Sequence, residues 1–255
     1  MKVQQEVKRR HGTHLLPYPR IVQPDPFRAY YQTHFFDGAF PVPPQNDQGP
    51  PNKNYPFSFV DDMAELVFKD AAHLKNVMTS EYVKTVIGPD GLNFNDFSSA
   101  NAIFATVERR VHGDSAINDS ATTADYFVLV SGSPESGIDH AEQLSSFLIK
   151  SVESVGDGQI YRIDMTIRLP DPAGILKYFG AGDPSKPAYT LVFKMYMQAA
   201  SSVSAVRKVQ KDFEDLAGDI VDSAFSTILF GKRGLILDQA RQIKFDGSRQ
   251  PVLFQ

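Results

Sequence analysis

The sequence predicts an α+β protein built from two tandem modules, and three observations carry that prediction. The first is a repeat: Leu66-Val67-Phe68-Lys69 recurs as Leu191-Val192-Phe193-Lys194 in a chain of 255 residues. The second is that the segments after each copy agree in kind and order. After the first copy come a helical stretch (Ala71 to Ile87), an acidic-aromatic turn (Asn95-Asp96-Phe97-Ser98) and an apolar strand (Ala102 to Val107). After the second come a helical stretch (Ser204 to Leu216), Asp222-Ser223-Ala224-Phe225 and a strand (Ser226 to Phe230). The third is that each half reads strand, helix, strand, strand, helix, strand, which is the ferredoxin-like order. Two related modules packed face to face enclose a cavity in which function can sit.

Taking the first half in order, Lys2 to Arg10 alternates weakly through Val3, Gln5 and Val7 and is expected as a strand. Asp25 offers an N-cap and Pro26 suits the first helical position, so a helix is expected from about Pro26 to Phe36. On such a helix Phe27, Tyr30, Tyr31 and His34 would form one face pointing inward. Phe40 to Pro56 is rich in proline and polar residues and reads as a long loop. Phe57 to Lys69 is the best strand of this half. Alternation sends Val60, Asp62, Ala64, Leu66 and Phe68 towards helices, and Asp61, Met63, Glu65 and Val67 to the opposite side. Gly88-Pro89-Asp90-Gly91 interrupts the helical stretch beyond it.

The boundary is expected near His112 to Thr123, where Gly, Asp, Ser and Asn cluster, giving modules of residues 1–118 and 119–255. Asp125 to Ser131 opens the second module as a strand, and Ile138 to Val155 comes next as a helix with an Ile138, Leu144, Phe147, Leu148, Val152 stripe. Ile160 to Leu169 alternates cleanly, with Tyr161, Ile163, Met165 and Ile167 against Arg162, Asp164, Thr166 and Arg168. Pro170 to Pro187 is a second long loop. Tyr189 to Met197 is the strand carrying the repeated tetrapeptide. A helix bearing Val203, Val206, Val209, Phe213 and Leu216 precedes the last strand.

Composition narrows the function classes. Hydrophobic residues make up 42% and charged residues 22%, ordinary for a globular protein. A net charge of −4 argues against a nucleic-acid binder. The short basic runs Lys8-Arg9-Arg10 and Arg109-Arg110 read as solvated charge. With 0 cysteines, disulfides, Fe–S clusters and thiolate nucleophiles are excluded. No run of 18 apolar residues occurs, so no membrane-spanning helix is expected, and the polar start from Met1 to Gly12 lacks an apolar signal core. A cytoplasmic location is the resulting expectation. The segment Ser131-Gly132-Ser133-Pro134-Glu135-Ser136-Gly137 lacks nucleophile-elbow spacing, and there is no phosphate-binding loop. His11 and His14 lie beside no carboxylate cluster, so no metal site is expected, and no cofactor either.

Three ordered segments resemble EthD-like proteins, a branch of the dimeric α+β barrel superfamily. Phe27-Arg28-Ala29-Tyr30-Tyr31-Gln32-Thr33-His34 looks like their aromatic-His motif. Asp61-Asp62-Met63-Ala64-Glu65-Leu66-Val67-Phe68 is similar to a central strand commonly read D-G-x-A-E-L-W-F. Asp90 with Asn93-Phe94-Asn95-Asp96 resembles their D-x-x-N-F-x-D turn. Asp62 stands where glycine is usual and Val67 where Trp or Tyr is common. The second half keeps the order of elements without the motifs, with Thr190 at the Glu65 position. The resemblance implies two tandem ferredoxin-like modules forming an intrachain α+β barrel, with two sheets back to back, one active module and one degenerate. It also implies small-molecule chemistry: relatives are encoded with polyketide pathways and act as dehydratases, cyclases or cofactor-free tailoring enzymes.

The candidate catalytic residues are His34, Asp61 and Glu65, with Phe27, Tyr30, Tyr31 and Met63 as substrate-binding residues. A histidine titrating near neutrality can accept a proton from a phenol or activated C–H and return it to a leaving hydroxyl. The competing reading is a core histidine bonded to the backbone. Asp61 and Glu65 share a strand face about 13 Å apart in Cα, too far for a tight carboxylate pair. Either could be a general acid or orient His34, or could instead pair with Arg162 or Arg168 of the second half. The function expected is a cofactor-free lyase or cyclase acting on an aromatic or polyketide-like molecule. A non-catalytic binding or accessory protein and a cofactor-independent oxygenase are the alternatives. A pocket bounded by Asp61, Met63 and Glu65 and reached by His34 would favour the enzyme; a filled interior would favour the accessory protein. The partner expected is a hydrophobic small molecule, not nucleic acid or a membrane. A monomer is expected, because an internal pair closes the barrel without a second chain.

Overall fold

The computed structural model describes residues 28–39, 62–87, 89, 105–113, 116, 119–132, 136–168, 189–223, 225–244, 249 and 251. The fold is α+β: among the described residues seven antiparallel strands form one curled sheet with helices on its outer side. The strands are β1 (Ala29–Ala39), β2 (Asp62–Val67), β3 (Ala105–His112), β4 (Ser120–Val128), β5 (Ile160–Arg168), β6 (Leu191–Met197) and β7 (Thr227–Asp238). The helices are α1 (Ala71–Met78), α2 (Ser136–Val155) and α3 (Val203–Ala217). Asp70 caps α1, its carboxylate accepting from the His73 N–H at 2.8 Å.

The strand order is β2-β1-β7-β4-β6-β5-β3. Its middle, β7-β4-β6-β5, is the ferredoxin-like order of the second half. The succession β2-α1-β3 in the first half matches β6-α3-β7 in the second, as the repeat predicts. The halves meet edge to edge: β1 pairs with β7, and β3 pairs with β5. The sheets of the two halves are therefore one hydrogen-bonded surface, whereas sheets merely stacked back to back were expected.

One element differs outright from expectation. The stretch from Pro26 to Phe36 is not a helix; its described part is strand β1, bonded to β2 on one side and β7 on the other. The capping signal at Asp25-Pro26 and the helical spacing of the aromatics compete with a run of residues that favour strands: Tyr30, Tyr31, Thr33, Phe35 and Phe36. Two flanking strands satisfy main-chain groups that a helix would have satisfied internally, and pairing wins. Two smaller differences obey the same logic. Strand β4 begins at Ser120, inside the expected boundary loop, and β7 runs on to Asp238. The expected strand from Lys2 to Arg10 and the loops Phe40 to Pro56 and Pro170 to Pro187 lie outside the described residues.

Alternation divides the sheet into two faces. Towards α2 and α3 point Ala124, Tyr126, Phe193, Met195, Ile163, Met165 and Phe230, and they pack with Leu144, Leu148, Val206, Val209 and Phe213 as the main core. Tyr126 and Phe213 meet edge to face, with ring centroids 5.5 Å apart. The Tyr126 hydroxyl finds its partner at the surface of that core, donating to Glu214 Oε1 at 2.7 Å. The opposite face carries Val192, Lys194 and Tyr196 on β6, and Thr123, Asp125 and Phe127 on β4. That face is concave. In a flat sheet β2 and β6 would lie four strand spacings apart, roughly 19 Å, beyond the joint reach of a lysine and a glutamate. Yet Lys194 on β6 donates to Glu65 on β2, so the sheet curls to bring these strands face to face.

Candidate functional site on the concave face

Glu65 is the centre of the concave face. Its strand is edge-paired to β1, with Tyr31 opposite Glu65 and Thr33 opposite Met63. Glu65 Oε1 accepts from the Lys194 ammonium, and Oε2 accepts from Arg233 Nε at 2.8 Å. Arg233 lies on β7 opposite Thr33, and its guanidinium stacks over the Tyr31 ring at 3.6 Å from the centroid. Lys194 also stands 3.9 Å from Asp125 Oδ1, while Thr123 Oγ1 donates to Asp125 Oδ2 at 3.2 Å. Next along, Arg162 forms a two-pronged pair with Asp164, both contacts 2.8 Å, and lies over the Tyr196 ring at 5.5 Å. One glycine is required here. A Cβ on Gly231 would sit 2.6 Å from Thr33 Cγ2 and 3.0 Å from Phe35 Cδ1, so no larger residue fits between β1 and β4.

The electrostatics separate the two central carboxylates. Burial raises the Glu65 carboxyl, but Arg233 and Lys194 outweigh burial and hold it at about 2. It is ionised at neutral pH and acts as a counter-charge. Burial dominates at Asp125 and, opposed by Lys194 and aided by the Glu65 charge, pushes it up to about 6. One carboxylate is thus fixed and its neighbour titrates close to neutrality. Burial also raises the Tyr196 phenol, which keeps its proton as a donor. The Tyr196 hydroxyl and Asp125 Oδ1 are both buried with no hydrogen-bond partner among the described residues.

Beside this polar zone the same face turns apolar: Phe35, Phe127, Tyr189, Val192 and Leu229 cluster, with Met63 packed against them. The concave face therefore has a charged end and a hydrocarbon end. A cleft of about 360 Å³ lies elsewhere, at the strand ends near Ser120, Thr122, Tyr161, Gln198 and Lys232. Lys232 donates to Thr122 Oγ1 at 2.8 Å there. Neither Glu65 nor Asp125 lines that cleft. Among the described residues no three His, Asp or Glu side chains converge as metal ligands, and no helix is long and apolar enough to cross a membrane.

The residues singled out from the sequence divide between the two faces. Tyr31, Met63 and Glu65 are together on the concave side. His34 and Tyr30 leave β1 on the opposite, helix-side face, with Gln32 between them and Asp62 opposite His34. Both are buried; Tyr30 packs with Ile236 and Leu66, and Gln32 Nε2 donates to Asp62 Oδ2 at 3.4 Å. His34 and Glu65 therefore face away from each other. Phe27 and Asp61 lie outside the described residues. Glu65 does pair with cations of the second half, but they are Lys194 and Arg233, not Arg162 or Arg168. Lys194, Asp125, Arg233 and Tyr196 were missed by sequence reasoning. A signal existed for one of them: Lys194 is the single charge in Leu191–Met197, a strand buried throughout.

Comparison with known proteins bears out the resemblance read from the sequence. Residues 4–98 match the family model described as "EthD domain". No curated protein sequence matches the chain. A solved structure described as a "putative monooxygenase from Lactobacillus acidophilus NCFM" is similar over 92% of each chain, at 10% identity and a TM-score of 0.39.

Proposed function

We propose that this protein is a cofactor-free tailoring enzyme of the dehydratase or cyclase type, acting on an aromatic or polyketide-like molecule at the concave face. The observation that carries this reading is the pairing of two carboxylates of opposed acidity, Glu65 and Asp125, across one lysine and beside an apolar wall. Burying four ionisable side chains in a small protein costs stability, and such clusters concentrate at functional sites. The division of labour rests on the chemistry of each group. The Phe35, Phe127 and Val192 wall holds the hydrocarbon skeleton. Asp125 accepts a proton from an activated C–H or hydroxyl and returns it to a leaving hydroxyl. Lys194 and Arg233, held by Glu65, offset negative charge that develops on a substrate oxygen.

A second reading places proton transfer at His34, on the helix-side face, where it is buried beside Asp62 and Gln32. The same experiment separates the two, and the cytoplasmic location is part of the same proposal. A deletion strain is compared with wild type by untargeted metabolite profiling, then complemented with wild type, Asp125→Asn or His34→Ala. The proposal expects an aromatic intermediate to accumulate on deletion and to persist with Asp125→Asn, with flux lowered about 10²–10⁴-fold. Clearance by Asp125→Asn but not by a folded His34→Ala would move the chemistry to His34. An unchanged metabolite profile on deletion would favour a non-catalytic binding protein.

A further inference from the structure

Two polar atoms on the concave face lack a hydrogen-bond partner among the described residues. Asp125 Oδ1 accepts no hydrogen bond among the described residues, with the Lys194 ammonium 3.9 Å away, and the Tyr196 hydroxyl has no partner among them either. Both residues are 0% exposed. Leaving such a buried group unmatched is costly, so two on one face call for an explanation. Strand register places them together. Asp125 is directly opposite Lys194, and Tyr196 is two residues further on β6, opposite Thr123. This is a diagonal cross-strand relation, about 7–8 Å between the positions, with both side chains on the same face. One atom is an acceptor and the other a donor. They are complementary to a group that does both, and the neutral single atom that does both is a hydroxyl oxygen.

We infer that Asp125 and Tyr196 form a recognition subsite for a phenolic or enolic hydroxyl of an aromatic ligand, the O–H donating to Asp125 Oδ1 and its oxygen accepting from the Tyr196 hydroxyl. The inference rests on the concave face being the ligand site and adds the functional group that the ligand presents. The neighbours fit this assignment. Tyr196 is held in place by Arg162 over its ring and by Tyr161 at 6.2 Å between centroids. Thr123 occupies the other Asp125 oxygen, which leaves Oδ1 as the acceptor for a ligand. The aromatic body of the ligand then lies towards Phe127, the next concave-face residue along β4, and Val192, which lies beyond Lys194 on β6.

A built hydroxyl site discriminates against a ligand lacking that group, because its own buried polar atoms are then left unmatched. An apolar surface does the reverse and prefers the more hydrophobic ligand. The full chain is therefore titrated by calorimetry with 1-naphthol and with naphthalene at pH 7.5. 1-Naphthol is expected to bind about 10-fold or more tighter than naphthalene. Tyr196→Phe, which keeps the ring in place, is expected to remove most of that preference while leaving naphthalene affinity unchanged. The preference should also fade as pH falls through about 6, where Asp125 gains its proton among Lys194, Glu65 and Arg233. Equal affinity for both probes, or a preference that Tyr196→Phe leaves intact, overturns the hydroxyl subsite while the concave face stands as an apolar binding surface. If neither probe binds, the concave-face ligand site fails as well.

Discussion

The two faces of the same strands solve opposite problems. On β6, Phe193 and Met195 enter a core of hydrocarbon against α2 and α3, while Lys194 between them enters a cluster of charges. The helix-side face gains stability from area removed from water, roughly 25 cal/mol per Å². The concave face gains little in this way, since its ions lose hydration and recover it only through one another. A fold needs the first kind of face and tolerates the second. The proposed site is placed on the side that stability alone does not explain.

The two faces differ most clearly when each loses one side chain. Phe213→Ala empties the helix-side core and should cost about 3–5 kcal/mol in denaturant unfolding. Glu65→Gln should cost about 3–5 kcal/mol too, for a different reason: it leaves Lys194 and Arg233 as buried charges without their counter-ion. The difference appears on repair. The triple variant Glu65→Leu/Lys194→Met/Arg233→Met should regain much of the loss, because removing the carboxylate together with both its cations also removes the burial penalty. Further loss in the triple variant would mean that the concave face is stabilised by its charges.

A smaller effect is expected at Asp125. Its folded-state acidity, about 6, lies above the ordinary 3.8, so folding favours the protonated form. Its contribution to stability is present below about pH 4, and is lost as pH rises through 6. Glu65 works in the other sense. Held at about 2 against an ordinary 4.5, it contributes stability above pH 4.5 that is lost as pH falls towards 2. Asp125→Asn should therefore raise the melting temperature by a few degrees at pH 7.5 and flatten the stability slope between pH 4 and 6. No change in slope would place the titrating group elsewhere. The smallest effect belongs to the surface. Lys208 and Asp157 pair at 3.6 Å with 63% and 68% of their side chains exposed. Lys208→Ala should shift stability by less than about 1 kcal/mol, and the shift should vanish in high salt.

Much of this architecture was legible because periodicity survives folding. The alternation in Asp62–Val67 and Ile160–Arg168 set Leu66 apart from Met63 and Glu65, and Ile163 and Met165 apart from Arg162 and Asp164, as observed. The repeat around Leu66 and Leu191 marked equivalent strands. What failed was local signal set against long-range pairing: β1 carried a helix cap and helical spacing, and only β2 and β7 together made it a strand. That single misassignment changed the site, since a helix would have grouped His34 with Tyr31, and a strand puts them on opposite faces. The partners of Glu65 were not legible either. Lys194 and Arg233 come from strands far away in sequence, and only the curl of the sheet joins them.

The concave face, on this account, holds one fixed carboxylate and one that exchanges a proton near neutrality. Side-chain carboxyl carbon NMR of the labelled protein, titrated from pH 3 to 8 and assigned with Asp125→Asn and Glu65→Gln, reads both groups directly. The arrangement predicts that Asp125 titrates at about 6 while Glu65 stays ionised across the whole range. A Glu65 that titrates in its ordinary range, or an Asp125 ionised throughout, would contradict it.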